Sequence, residues 1–438
     1  MEDKKFKSQM KKLKQAFKDG EKFVLFVGAG QNGGHNVRLM WNQLINQVSK
    51  TSFRNLFQQM GVNYTDSHAI LRAMEIEDTG KYSNTQNDGN SNNDKHKEES
   101  ADLELVKYLN TYFPIEIQVS MIKDLMKDHY IPALQNHLYT QCNYHLINES
   151  FGKLYAGKAS RPEDFTHLPI PNPTSDPAIK ERNKNDKEYY TLFILARMIL
   201  LNPQIESIIT YNFDNFIRQA VKVLLKSPEK YFTEKEIEFL NKRFSLIYNK
   251  EKERLSEKVL VKDVHDNNSL DSKNVTLNCF PVYHVHGYIP DPNEEEIRES
   301  PDIVMALEEF VEQQTDGLSW EDSIQVSAFR NSNIIFIGCS MTDLTMKRMI
   351  NYAHASGYNN KIFILNATSS SESSKSQVQD GDSKKFILNR QKNILDQLRR
   401  KYFESIGATY VNCPNGFNAL CDALYTITHP NLNSANDK

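Results

Sequence analysis

The residues best equipped for chemistry stand where short apolar runs stop. "SIITYNFDNFIRQ", Ser207 to Gln219, runs from Ile208 and Ile209 through Thr210 into Asn212 and Asp214, an amide and a carboxylate two residues apart, and a helical pattern follows at once. Such a pair either caps the next helix or reaches into the crevice at the carboxyl edge of a parallel sheet, where ligands of α/β proteins bind. "KFVLFVGAGQNGG" ends an apolar strand on Gly28, Ala29 and Gly30, and Gly28 to Gly33 fits G-x-G-x-x-G. Glycines there admit a tight turn and let backbone N–H groups approach a pyrophosphate at a helix N-terminus; a purely structural glycine turn is the competing explanation. Phe23 to Thr65 contains no Asp or Glu. That suits a phosphate loop, and it removes the acid expected about 20 residues on in nicotinamide dehydrogenases. "YHVHGY" places His284 and His286 two apart, on the same side if both lie on a strand. They are either half of a metal site or a base with a structural neighbour. Gly338-Cys339-Ser340 offers small residues that let a ligand pass close to the backbone, and Asn366 ends "IFILN".

Each of these groups requires a strand end to hold it. "KFVLFV", "SIIT", "CFPVYH", "NIIFI" and "KIFILN" are short runs apolar on both faces and separated by helical patterns. They predict an α/β fold, a parallel sheet covered on both sides. The long helical stretch between the first two strands predicts a helical insertion lobe at about 45–200. Polar or proline-rich segments at about 80–100, 157–188 and 367–384 read as mobile loops. Residues 1–21 form an amphipathic helix in which Phe6, Met10, Leu13 and Phe17 make an apolar stripe among seven lysines. The stripe packs either on its own domain or on another subunit, and its lysines either face solvent or meet nucleic acid or membrane.

The 438 residues carry 53 basic and 56 acidic side chains, a formal charge of −3, so the overall balance calls for no polyanionic partner. Five cysteines include no C-x-x-C pair, against a disulfide scaffold or cysteine-rich zinc site. "YYTLFILARMILL" is interrupted by Arg197 and reads as a buried helix, not a membrane span. With no apolar signal segment evident, the expected location is cytoplasmic.

Taken in order, strand-GAG, strand-TYNFD, strand-HG, strand-G-x-S and strand-ILN resemble the sirtuin family, especially its defence-associated bacterial branch. That branch also carries a Trp soon after the glycine loop, matched by Trp41 with Leu44 in "RLMWNQL". The resemblance spans about Lys22 to Thr428 and is carried by these motif segments. It implies a doubly wound, Rossmann-like sheet, with residues 22–438 forming one NAD-binding catalytic domain. Gly28, Ala29 and Gly30 would cradle the pyrophosphate, and Asn212 and Asp214 would stand at the nicotinamide ribose and carboxamide. His286 would be the base with His284 supporting it. Gly338 and Ser340 would line the phosphate and adenosine side, and Asn366 the adenosine ribose. The Asp-Phe-Arg and four-cysteine zinc module of protein-deacetylating sirtuins are absent, and Gln31 replaces the small or apolar residue that usually follows GAG. These departures weigh against a protein deacylase.

The implied activity is an NAD glycohydrolase (an NAD+ hydrolase) that splits NAD into nicotinamide and ADP-ribose, with no metal. It would serve as an antiphage, abortive-infection effector. A non-catalytic subunit sensing NAD or ADP-ribose is the alternative. Ala367 to Lys438 is expected to supply closing helices instead of a nucleotide-sensor domain. Relatives without a sensor form homo-oligomers or work beside a separate protein such as a HerA-type ATPase or a short Argonaute.

Overall fold

The computed structural model describes residues 2–28, 113–139, 190–226, 231–244, 261–264, 280–291, 319–339, 344–367 and 397–413. Short pieces are added at 44–46, 48–50, 52, 109–110, 228, 248–249, 254–255, 303–306, 308–309, 311, 341, 394, 420 and 424. Ala29, Gly30, Gln31, Trp41, Ser340 and the loops at 80–100, 157–188 and 368–384 lie outside them. The chain divides into two compact units, one of 1–38, 143–288 and 318–438, the other of 39–142 and 289–317.

The first unit is built on seven parallel strands: β1 (Phe23–Val27), β2 (Ile205–Thr210), β3 (Val261–Val264), β4 (Phe280–His284), β5 (Asn333–Ile337), β6 (Ile362–Ala367) and β7 (Thr409–Cys413). They lie in the order β3-β4-β2-β1-β5-β6-β7. This is a doubly wound, Rossmann-like α/β arrangement: the two-sided apolar runs predict its parallel sheet, and the family resemblance implies its winding. β1 is buried along its whole length, as a central strand covered on both faces must be. After β1 the chain lays β2 beside it, places β3 at the edge and then fills the gap between them with β4. It then returns to lay β5 on the other side of β1 and builds outward again. The order therefore reverses between β1 and β5, and a doubly wound sheet binds its ligands at the carboxyl edge of such a switch point.

Helices α1 (Glu2–Lys18), α4 (Tyr190–Leu201), α5 (Phe216–Lys226), α6 (Glu234–Phe244), α7 (Trp320–Asn331) and α8 (Leu344–Ala355) belong to this unit, and α2 and α3 to the other. One sheet face, through Val24, Phe26, Ile334, Phe336 and Ile364, buries Ala328 and Phe329 of α7 and Met346, Met349 and Ile350 of α8. Phe26 centres an aromatic group, 4.8 Å from Phe336 and 5.3 Å from Phe329 between ring centroids. Alternation along β1 turns Phe23 to the opposite face, where it stacks on Phe17 of α1 at 4.2 Å.

The stripe of α1 thus packs on its own unit. Met10, Leu13 and Phe17 are buried, and Gln9 Nε2 donates to the Tyr410 carbonyl at 2.8 Å. Its lysines 4, 5, 7, 11, 12, 14 and 18 are exposed. Because Leu13 is fully buried, Leu13→Ala should destabilise the fold by about 2–5 kcal/mol, read as a lowered urea midpoint with an unchanged slope. A loss below about 0.5 kcal/mol would mean that α1 is not docked in solution.

α6 and β3 arise in a stretch that reads from sequence as charged and irregular. Thr233 and Glu236 form a reciprocal capping box. The Thr233 N–H donates to Glu236 Oε2 at 2.8 Å and the Glu236 N–H to Thr233 Oγ1 at 3.3 Å. Glu236 also pairs with buried Arg197 of α4 at 2.9 Å, which explains the arginine within that apolar helix. Residues 248–249 and 254–255 form a separate short antiparallel pair.

In the second unit, α2 (Ile115–Met126) and α3 (Tyr130–Tyr139) are tied to the segment after residue 288. Tyr139 Oη donates to the Ile289 carbonyl at 2.6 Å and Gln135 Nε2 to the Pro290 carbonyl at 2.7 Å. Glu309 accepts from the Met305 and Ala306 N–H groups and pairs with Lys123. Burial, with Glu309 and Glu308 nearby, pushes the Tyr130 phenol well up, so it stays neutral and faces Met305 Sδ. Leu44, Ile45 and Val48 are buried here. Among the described residues, no helix is long and apolar enough to cross a membrane.

Candidate active site

At the amino edge of the sheet Asn333 Nδ2 donates to Glu21 at 2.7 Å, Lys361 pairs with Glu21, and Ser332 Oγ donates to Glu206 at 2.8 Å, while Asn202 Oδ1 has no hydrogen-bond partner among the described residues. At the carboxyl edge Asn212 is 7% exposed, yet its Nδ2 has no hydrogen-bond partner among the described residues. A buried amide donor left unmatched costs about 1–3 kcal/mol, so a native fold keeps one where something else is meant to accept it.

Four candidate positions end on four neighbouring strands, β4, β2, β1 and β5. Gly28 follows β1 and Gly338 follows β5, at the reversal point. The Gly28 N–H donates to the Ile337 carbonyl at 3.0 Å. A Cβ on Gly28 would lie 2.7 Å from the Gly338 carbonyl oxygen and 2.9 Å from Cys339 Cα. Those are backbone atoms that no rotamer change can move, so the close approach admits only glycine. Gly338 and Gly287 take φ of 65° and 92°, the left-handed region where a side chain is strained. Buried Met341 also has positive φ, 56°. Such strain in a non-glycine residue concentrates at functional loops.

Asn212 follows β2 by two residues. Its N–H donates to Thr210 Oγ1 at 3.1 Å, and Thr210 Oγ1 in turn donates to the Val27 carbonyl at 3.0 Å. The end of β2 is thereby pinned to the end of β1. Asp214 Oδ1 accepts the Phe216 N–H at 3.1 Å, so this carboxylate serves as a cap at the start of α5. Of the pair that ends the run, the acid takes the local structural part, and the amide carries the unmatched donor.

His284 and His286 do not share a face. β4 ends at His284, and residues 285–287 turn, with the Gly287 N–H donating to the His284 carbonyl at 3.2 Å. The alternation expected for a continuing strand therefore stops between the two rings. His286 is 4% exposed and meets the Tyr211 ring edge-on at 5.0 Å. Tyr211 is held by its hydroxyl, which donates to Gln325 Oε1 at 2.7 Å. His284 is fully buried, with Nδ1 2.9 Å from the Asn212 carbonyl and Nε2 3.1 Å from Asp263 Oδ1. With both nitrogens engaged it has no lone pair to offer a metal. Among the described residues no group of His, Cys, Asp and Glu could hold one. Burial raises the Tyr283 phenol, which keeps the strand beneath these rings free of added charge.

Asn366, at the end of β6, lies one strand beyond Gly338 and is half-buried. Its Nδ2 reaches Asn412 Oδ1 of β7 at a long 3.5 Å. Asp263 was not legible as a site residue. The one signal was the Val-x-x-Val spacing of "VKDV", too short to separate a strand from a charged loop.

The fold and these strand ends define a Rossmann-like protein whose candidate residues gather at its switch point. Residues 206–386 match the model of the SIR2-like domain family, and the match spans β2 to β6, including Asn212, His286, Gly338 and Asn366. A search among curated proteins returns no match. SIR2-like domains bind NAD and are typically NAD-dependent enzymes, so the match suggests NAD-related activity in general. The residues present suit NAD: a glycine that leaves no room for a Cβ, and a buried amide donor awaiting an acceptor.

Proposed function

We propose that the protein hydrolyses the nicotinamide–ribose bond of NAD, and that it acts as an antiphage effector which depletes NAD when switched on. The unmatched Nδ2 of Asn212 after β2, with buried His286 after the neighbouring strand β4, is the observation that supports this most. Breaking the glycosidic C–N bond releases neutral nicotinamide with its electron pair, and a water oxygen bonds to the ribose carbon to give ADP-ribose. Gly28 and Gly338 bring backbone to the pyrophosphate, with Ala29, Gly30 and Ser340 assigned to the same loops and Asn366 to the adenosine ribose. Asn212 donates to a ribose hydroxyl or orients the water. His286, in its neutral form, takes the proton the water gives up, and the anchored Tyr211 ring limits where His286 can turn. Asp214 supports the amide by fixing the first turn of α5.

An unregulated NAD hydrolase would exhaust its own cell, which favours control by assembly into a homo-oligomer or by a separate partner protein. The test is direct. Purified protein incubated with NAD should release nicotinamide and ADP-ribose in equal amounts, resolved by chromatography. Binding without release would favour the sensing subunit instead, and consumption of NAD only with an acylated peptide would favour a deacylase.

A further inference from the structure

His284 is tied to more than the carbonyl of Asn212. Beyond it, Asp263 of β3 uses its second oxygen, Oδ2, to pair with Arg218 Nε at 2.9 Å. Arg218 Nη2 donates to the Tyr288 hydroxyl at 3.1 Å, and the Tyr288 ring meets His284 edge-on at 4.9 Å. The His284 and Asp263 side chains are only 1% and 5% exposed, and Arg218 is 20% exposed. Four elements are joined this way: α5, the edge strand β3, β4, and the loop after β2. A backbone carbonyl can only accept, so His284 Nδ1 carries a hydrogen toward Asn212. The Asp263 carboxylate stands 3.1 Å from Nε2, and the guanidinium on its other oxygen compensates its buried charge.

We propose that Arg218, Asp263 and His284 form a positioning chain that holds the Asn212 backbone, so that the unmatched Nδ2 stays aimed into the site. This rests on the reading of Asn212 as the residue at the scissile bond. None of the three touches the reacting atoms; they act through the Asn212 carbonyl. The arrangement has a physical reason. Asn212 lies past the last paired residue of β2, outside the strand ladder. The Thr210 hydroxyl holds its N–H side and, among the described residues, His284 holds its carbonyl side. With that bond gone the peptide plane is free to rotate, and the side chain moves with it. The chain also explains why a histidine stands at 284 in addition to the one at 286: the first ring supports the amide, and the second faces the chemistry.

The experiment uses the full chain with Asp263→Asn, which leaves the Arg218–His284 link without its anion, and with Arg218→Lys and His284→Gln as milder breaks. Hydrogen exchange of the segment Tyr211–Gln219 should rise about tenfold in Asp263→Asn while β1 stays protected. Nicotinamide release should fall about 100-fold in kcat, as expected for a group displaced by about 1 Å, with KM for NAD moved by less than about threefold. His284→Gln, whose amide can still donate to the carbonyl, should retain more activity than His284→Ala. Unchanged exchange in 211–219 would overturn the chain. So would loosened exchange with undiminished kcat while Asn212→Ala is dead. If Asp263→Asn fails to fold, Arg218→Lys and His284→Gln carry the same readings. If the wild-type protein binds NAD without cleaving it, the cleavage reading fails on its own. Calorimetric NAD affinity then replaces kcat: loosened exchange with weakened binding sustains the chain, and loosened exchange with unchanged binding overturns it.

Discussion

Asn212→Ala and His286→Ala, made separately, are each expected to lower nicotinamide release by at least about 10²–10⁴-fold at saturating NAD, the range for losing a positioned acid–base or orienting group. The two variants should differ in stability. Asn212 Nδ2 has no partner among the described residues, so alanine strands no donor. It removes a buried polar group whose desolvation opposes folding by about 1–3 kcal/mol. Asn212→Ala should therefore melt no lower than wild type, and a slight rise would mark a residue retained for function at the expense of stability. His286→Ala deletes a buried ring packed on Tyr211 and should melt lower. Differential scanning calorimetry beside a nicotinamide assay reads both quantities. Near-normal turnover in either correctly folded variant would remove that residue from the mechanism, and a marked loss of stability in Asn212→Ala would mean its amide is satisfied after all.

Gly28→Ala should be the most damaging single methyl group in the sheet. The added carbon would lie 2.7 Å from the Gly338 oxygen and 2.9 Å from Cys339 Cα, well inside contact distance, and β1 and β5 are hydrogen-bonded along their whole length below that point. The strand ends would have to separate, at about 1–3 kcal/mol for an overpacked site. They would open at the place where the pyrophosphate is expected to lie. The predicted result is loss of measurable NAD binding by calorimetry, with a melting temperature lowered by several degrees at most. An alanine variant that binds NAD normally would show that the approach of the two glycines serves packing alone.

Much of this architecture is written locally. A strand buried on both faces must be apolar throughout, and "FVLFV", "NIIFI" and "IFIL" are so over four or five residues. The parallel sheet and the glycines at its strand ends therefore follow from short stretches read one at a time, whereas its winding is a matter of strand order. The same holds for the stripe of α1, whose spacing announces a docked helix, although spacing alone does not say what it docks on. β3 and α6 escaped notice for opposite reasons. "VKDV" is a four-residue strand with two charged positions, tolerable only because Asp263 finds Arg218 and His284. α6 did have a local mark, the Thr233–Glu236 box, hidden among charged residues.

What the tertiary structure alone decided is partnership. Spacing alone did not separate Asn212 from Asp214, and only the family resemblance set His286, the ring before Gly287, apart from His284. In the fold Asp214 accepts the Phe216 N–H as a cap, while the Asn212 amide is left unmatched. A turn at 285–287 sends one histidine toward Tyr211 and leaves the other between Asn212 and Asp263. Residue type and local periodicity determine which groups can reach a strand end, because hydrophobic burial acts on each segment's own pattern. Which of those groups is satisfied, and by what, depends on strand order, which brings together residues as far apart in the chain as Asn212, Asp263 and His284. Hydrogen bonds are short and directional, so their outcome is set only once the sheet has closed around them.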